Sequence, residues 1–277
     1  MGYKTILTVL TDQGQQAQLE AAMAIARHED AHLDIFCLAV DHTQSGYYYA
    51  GASAYVFQEA IDRAMEEAAA LEAWARGIAE QNNMRFSIDS AVAQLGGLST
   101  LVGMRARFAD LVVLSRPYGE KGGSDAEAIT EAALFEGSCP VLTVPCPITE
   151  SFGKKILVAW NQSNEALTAA RRALPLLIAA ESVEITVIDP SPYSPEKSEP
   201  GQALAQMLTR HGVKTEVAVL AKTLPRVSAI ITQRAAEIGA DMIVMGAYGH
   251  SRFRQAILGG ATRNMLESSK VPVLMAR

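Results

Sequence analysis

Gly246-Ala247-Tyr248-Gly249-His250-Ser251-Arg252-Phe253-Arg254 is the stretch of this 277-residue chain best suited to holding an anion, and Gly259, Gly260, Ala261 and Thr262 follow shortly after it. It begins directly after the apolar run 242–245. A glycine at a strand end permits a turn that a side chain would obstruct, and Gly249 lets backbone N–H groups approach a ligand closely. The helix expected next brings free N–H groups and the positive end of its dipole, both favourable to anionic oxygens. His250, Ser251, Arg252 and Arg254 add donors and positive charge, a set that suits phosphate better than an apolar ligand. Taken singly, Arg252, Arg254 and Arg263 also read as solvated helix-face residues, and His250 as a loop cap.

The elements that must position this loop come in two copies. Lys154-Lys155-Ile156-Leu157-Val158-Ala159-Trp160-Asn161 restarts the pattern of Lys4-Thr5-Ile6-Leu7-Thr8-Val9-Leu10-Thr11, and the later apolar runs correspond in order. Helical patterns follow each opening run, over 15–28 and over 164–179. Third strands are expected over 84–92 and 213–220, fourth strands ending at Leu114 and Met245, and fifth strands beginning at Pro140 and Pro272. Each half therefore reads βαβαβαβαβ. Strands alternating with helices of this length pair in parallel through right-handed crossovers. The expected fold is α/β: two tandem doubly wound domains, each a five-stranded parallel sheet flanked by helices. The domains are expected at 1–147 and 152–277, joined by a short linker bounded by Pro147 and Gly153. In such a sheet ligands sit beyond the strand C-termini where strand order reverses, so the ends of strands one and four are where a site belongs.

Composition narrows the function. With 24 Lys and Arg against 30 Asp and Glu, the net charge of −6 creates no general field for polyanions, and nucleic acid is not an expected partner. No apolar run approaches the roughly 18 to 20 residues of a membrane span. Met1-Gly2-Tyr3-Lys4 leads into a β-like segment without a signal-peptide pattern, which makes the cytoplasm the expected compartment. Cys37, Cys139 and Cys146 are too sparse for a disulfide framework or a CxxC zinc site, and read as structural thiols.

The chain resembles the universal stress protein family, in particular its tandem members. The resemblance rests on the two repeats and on Gly246, Gly249 and Gly259, which meet the family spacing of Gly, two residues, Gly, nine residues, Gly. It implies that the C-terminal domain binds ATP, or ADP or AMP, with Mg²⁺ or Mn²⁺ beside the phosphates. By the same resemblance the phosphates and ribose lie along Met245, Gly246, Tyr248, Gly249, Gly259, Gly260, Ala261 and Thr262. The base is expected near Ala159, Trp160, Asn161, Ile188 and Asp189. Two positions depart from the family: Gly260 stands where binders carry Ser or Thr, and Asn161 where they commonly carry Asp. Asn161 still offers an acceptor and a donor to a base edge. Relatives pair their domains through the last strands, which implies an intramolecular pseudo-dimer here and leaves a homodimer of such chains open.

The first half differs. Ser115-Arg116-Pro117-Tyr118 falls over Gly246-Ala247-Tyr248-Gly249, so both loop glycines are gone, and Pro117 has no N–H to offer. Phe135-Glu136-Gly137-Ser138 reads as a helix end. This domain is expected to be degenerate, and a change at Tyr118 to leave nucleotide binding untouched. Between its second and third strands lies an insertion with Tyr47, Tyr48, Tyr49 and Tyr55, which suits either a binding surface or a loop folded over its own domain. The alternative to a nucleotide-binding stress protein is a nucleotide-free scaffold that binds a partner. Enzymatic function is expected to amount to at most a slow ATPase, since the chain has no P-loop, carboxylate pair or nucleophile elbow.

Overall fold

The computed structural model describes residues 2–41, 54–94, 96–118, 123–145, 152–191, 198–247 and 260–277. The first half runs β1 (Thr5–Leu10), α1 (Gln16–Glu29), β2 (His32–Asp41), α2 (Ala54–Gln81), β3 (Phe86–Gln94), α3 (Leu98–Ala106), β4 (Leu111–Ser115), α4 (Ser124–Phe135) and β5 (Val141–Val144). The second runs β6 (Lys155–Trp160), α5 (Asn164–Arg172), α6 (Leu174–Ala179), β7 (Ser182–Ile188), α7 (Gln202–Arg210), β8 (Thr215–Leu220), α8 (Val227–Ile238), β9 (Met242–Gly246), α9 (Ala261–Ser268) and β10 (Val273–Ala276).

All ten strands form one sheet in the order β3-β2-β1-β4-β5-β10-β9-β6-β7-β8. Every neighbouring pair is parallel except β5 and β10, which run antiparallel with Leu142 opposite Leu274. The two halves are thereby a pseudo-dimer joined through their last strands, each covering an edge that would otherwise invite association. The central strands are apolar on both faces, as Leu111-Val112-Val113-Leu114 illustrates with every residue buried. Helices cover them on both sides, the arrangement a parallel sheet requires. One core layer holds Ile6, Val113, Ile156 and Val158 against α1 and α5, and the other holds Leu7, Val112, Leu157 and Ile243 against α3, α4, α8 and α9.

Two element boundaries differ from the sequence pattern for local reasons. The helix expected over 164–179 is two, because Pro175 lacks the N–H that would continue α5 and instead opens α6. Both third strands start two residues late. Met84 N–H donates to Ala79 O at 3.2 Å and Val213 N–H to Leu208 O at 3.1 Å, each after a residue with positive φ, Asn83 and Gly212. Their apolar side chains close the preceding helix before the strand begins. Tyr55 lies in α2, while Tyr47, Tyr48 and Tyr49, and the linker residues from Cys146 to Ser151, lie outside the described residues.

Candidate functional site

In the C-terminal half the strand order reverses between β6 and β9, which pair directly with Ala159 opposite Met245. β7 lies on the other side of β6. A helix that follows a parallel strand starts near that strand's C-terminal end, so α5 and α9 begin at this end of the sheet, on opposite faces. Beyond the point where β6 and β9 part is the crevice in which doubly wound sheets take ligands.

Gly246 closes β9 at this point. A Cβ added to it would meet the backbone N of Ala166 at 2.6 Å and the carbonyl carbon of Glu165 at 2.8 Å. The glycine is therefore required by the close approach of β9 to the first turn of α5, a packing role beside the turn expected from sequence. Ser163 caps α5, its Oγ accepting the Ala166 N–H at 3.1 Å.

The expected base-site residues divide between the two faces of the sheet. Ala159, Ile188 and Met245 belong to the layer beneath α8 and α9. Trp160 points to the opposite layer, where it is 8% exposed and packs as core. Asn161 is exposed at the tip of β6, and its Oδ1 accepts the Ser163 N–H at 3.2 Å, so that acceptor is committed to the turn. Asp189 is exposed with φ of 49°, a conformation uncommon for a residue with a side chain, and its N–H donates to Leu220 O at 2.8 Å.

The expected phosphate side is carried by α9. Gly260 is its N-cap residue, so the helix has no side-chain cap there, and its first turn contains no acidic residue. Its amides thus face the strand ends without a carboxylate to satisfy the dipole. Ala261 is half-buried and Thr262 is buried. Tyr248, Gly249 and Gly259, with His250, Ser251, Arg252 and Arg254, lie outside the described residues.

The equivalent end of the N-terminal half is built differently. Gln18, 2% exposed, fills the fork between β1 and β4. Its Nε2 donates to Thr8 Oγ1 at 3.0 Å and to Val9 O at 2.7 Å, and its Oε1 accepts the Ser115 N–H at 2.7 Å. Counting back from Val141 and Val273, Glu127 and Ala128 correspond to Gly259 and Gly260, and the 135–138 stretch is the end of α4, as its sequence reads. Here α4 runs on through the glycine positions, and its first turn carries Asp125 and Glu127. Two carboxylates at a helix N-terminus satisfy the dipole and repel phosphate. The Gln18 contacts were not visible without spatial pairing, whereas the Glu127 correspondence follows from counting along the chain.

Away from both crevices, His32 Nε2 lies 2.8 Å from Ser87 Oγ and 3.5 Å from Asp34 Oδ1. Both partners meet one ring nitrogen on an exposed surface, whereas a relay needs a carboxylate on the other nitrogen. Among the described residues no group of three or more His, Cys, Asp and Glu is placed to hold a metal ion, and no helix is long and apolar enough to cross a membrane.

A ten-stranded, mostly parallel sheet built from two βαβαβαβαβ halves defines a tandem α/β protein whose second half has Gly246 at the end of β9 and Gly260 at the start of α9. Residues 153–277 match the model of the universal stress protein family, so the C-terminal half of the chain is similar to that family. A universal stress protein of Synechocystis sp. is 32% identical over 72 residues, which is 26% of this chain and 24% of that protein, so the match spans about a quarter of that relative's length. A universal stress protein from Archaeoglobus fulgidus has a similar crystal structure, with a TM-score of 0.75 at 16% identity, covering 99% of this chain and 98% of that one. A functionally unknown protein from Pseudomonas aeruginosa PAO1 is similar with a TM-score of 0.59 at 17% identity, covering 99% and 92%. At these identities the two structures establish the fold that all three share.

Proposed function

We propose that the C-terminal half, 152–277, binds an adenine nucleotide, ATP in the first instance, and that the N-terminal half, 1–147, is a degenerate partner without nucleotide. The observation that carries this reading is the contrast between the first turns of the two corresponding helices. α9 begins at Gly260 with no acidic residue in its first turn, while α4 begins five residues earlier in its repeat with Asp125 and Glu127. Anions are favoured at the first and disfavoured at the second. Ala159, Ile188 and Met245 supply apolar surface of the kind an adenine ring stacks on, with the Asn161 side-chain amide at the rim as a donor to the base.

The phosphates are assigned to the amides of Gly260, Ala261 and Thr262, together with the glycine-containing sequence that follows β9, and Thr262 adds a hydroxyl in place of the one absent at Gly260. Mg²⁺ or Mn²⁺ enters this reading as the counter-ion of the phosphates, and no step of hydrolysis is assigned. The role is that of a cytoplasmic nucleotide-responsive protein in stress signalling.

Thermal unfolding with and without millimolar ATP and Mg²⁺ tests it. A ligand at 100 times its dissociation constant adds about 2.7 kcal/mol of stability, seen as a rise in Tm. No rise with ATP, ADP or AMP sinks the reading and favours the nucleotide-free scaffold.

A further inference from the structure

The loop that replaces the glycine bend in the N-terminal half turns toward the other half. Arg116 Nη1 donates to Glu267 O and to Ser269 O, each at 3.2 Å. These carbonyls belong to the last turn and cap of α9, where backbone acceptors lack helical partners and the dipole is negative. Arg263, in the first turn of α9, lays its guanidinium over the Tyr118 ring at 4.6 Å, and Tyr118 Oη donates to Glu127 Oε1 at 2.8 Å. A third contact reaches the other helix of the site: Tyr3 Oη donates to Arg172 O, at the end of α5, at 2.7 Å. Burial above all, with the Glu29 charge adding, pushes the Tyr3 ionisation up, so the phenol remains a donor.

We propose that Arg116 and Tyr3 are positioning residues for the nucleotide site of the other half, an inference that rests on the nucleotide reading above. α5 and α9 are the two helices whose N-terminal ends border the crevice, and both are held at their C-terminal ends by side chains of the N-terminal half. α9 is a rod about 12 Å long, so fixing its far end fixes the direction in which its first amides point. Sites tolerate about 0.5 Å of misplacement before they lose function. The other half returns a stacking contact, Arg277 over the ring of Phe135 at the end of α4 at 4.6 Å, but among the described residues the hydrogen bonds to a helix end run from the N-terminal half. Ala247 stands in chain count where Arg116 stands in the first half, and its methyl group has no donor to return the contact to α4. The half without the two loop glycines thus uses the same chain position to brace the half that has them, and Tyr118 takes part through Arg263, against the expectation from sequence that a change there leaves nucleotide binding untouched.

The test uses the full chain, with ATP and Mg²⁺ as the probe, by titration calorimetry well below the unfolding temperature and with folding checked by circular dichroism. Arg116→Ala is expected to weaken ATP binding about tenfold, within the range of coupling between distinct sites. Arg116→Lys, with one ammonium in place of a fork, recovers part of it. Tyr3→Phe removes a single oxygen and weakens binding less, which keeps the test open if Arg116→Ala folds poorly. Hydrogen exchange supplies the second readout: ATP slows exchange at the amides of 265–269 in the wild type and fails to do so in Arg116→Ala. Variants that melt earlier yet bind ATP as the wild type does, with the same protection, overturn the proposal. A wild type that binds no ATP overturns it together with the nucleotide reading.

Discussion

Gln18 Oε1 accepts the backbone N–H of Ser115 at 2.7 Å across the fork between β1 and β4. The two residues are 97 positions apart in the chain, and their contact places a buried amide at the fork where the other half has bare Gly246 against α5. The same carboxamide donates to Thr8 and Val9, and Thr8 Oγ1 in turn donates to Val113 O at 2.9 Å. One half closes its switch point with its own side chain, and the other leaves it bordered by glycine.

Gln18→Leu is expected to destabilise the protein by about 1–3 kcal/mol, because it strands the Ser115 N–H and the Val9 carbonyl in a buried place. Urea unfolding would show a lower midpoint. ATP-dependent stabilisation should be unchanged, since the fork of the N-terminal half takes no nucleotide.

Gly260→Asp separates helix stability from ligand binding by opposite signs. A carboxylate at the N-cap satisfies the first amides of α9 and complements its dipole, raising stability without ligand by a few tenths of a kcal/mol relative to glycine. It also occupies those amides and repels phosphate. Tm without nucleotide should rise slightly while the shift induced by ATP disappears, and a retained shift would count against phosphate at this helix.

Gly246→Val forces a side chain onto the backbone of Glu165 and Ala166, which cannot yield as a flexible side chain would. Overpacking of this kind costs about 1–3 kcal/mol. The expected result is a lower Tm and loss of the ATP response together, because β9 and α5 must separate at the crevice.

The Glu184–Arg234 pair gives a pH signature. Burial by itself would raise the Glu184 ionisation, but hydrogen bonds from Arg234 and Thr186 and the Arg234 charge outweigh it and hold the carboxyl below its usual range. Arg234 reaches it at 2.9 Å and 2.6 Å. A carboxyl ionising lower in the folded than in the unfolded state contributes fully above its unfolded value, about 4.3 for Glu, and loses that contribution as pH falls through the folded value. Glu184→Gln should cost about 1–3 kcal/mol at pH 7. The gap to the wild type should narrow in acid unfolding series below pH 4, and a gap constant with pH would exclude the ion pair as its source.

Cys37 and Cys139 are buried free thiols, and burial pushes both ionisations up to about 12. Thiolate is the reacting form, so neither should alkylate with iodoacetamide at pH 8 in the folded protein, and both should in urea. Peptide mass spectrometry reads each position separately. Fast native labelling at either would show that its layer of the core opens.

Alternation of short apolar runs with helical patterns is a local property, which is why the repeat and the parallel order could be read from the chain, whereas the meeting of the two last strands was implied by the family resemblance. The resemblance likewise drew attention to Gly246 and Gly260, which lie at the end of β9 and the start of α9. It grouped Trp160 with Ala159 and Met245, whereas the period-two alternation of a strand puts Trp160 on the other face. The helix break at Pro175 and the late starts of β3 and β8 were legible in principle from Pro175, Asn83 and Gly212, whose backbone preferences are local too.

Residue types and their periods thus determined the architecture, since backbone preference and side-chain alternation act over a few positions. Tertiary structure alone decided that Gln18 fills the first fork and that Arg116 and Tyr3 reach the far ends of α9 and α5. Those contacts join residues 97, 151 and 169 positions apart, and no local preference encodes a partner that only the folded sheet brings within hydrogen-bond range.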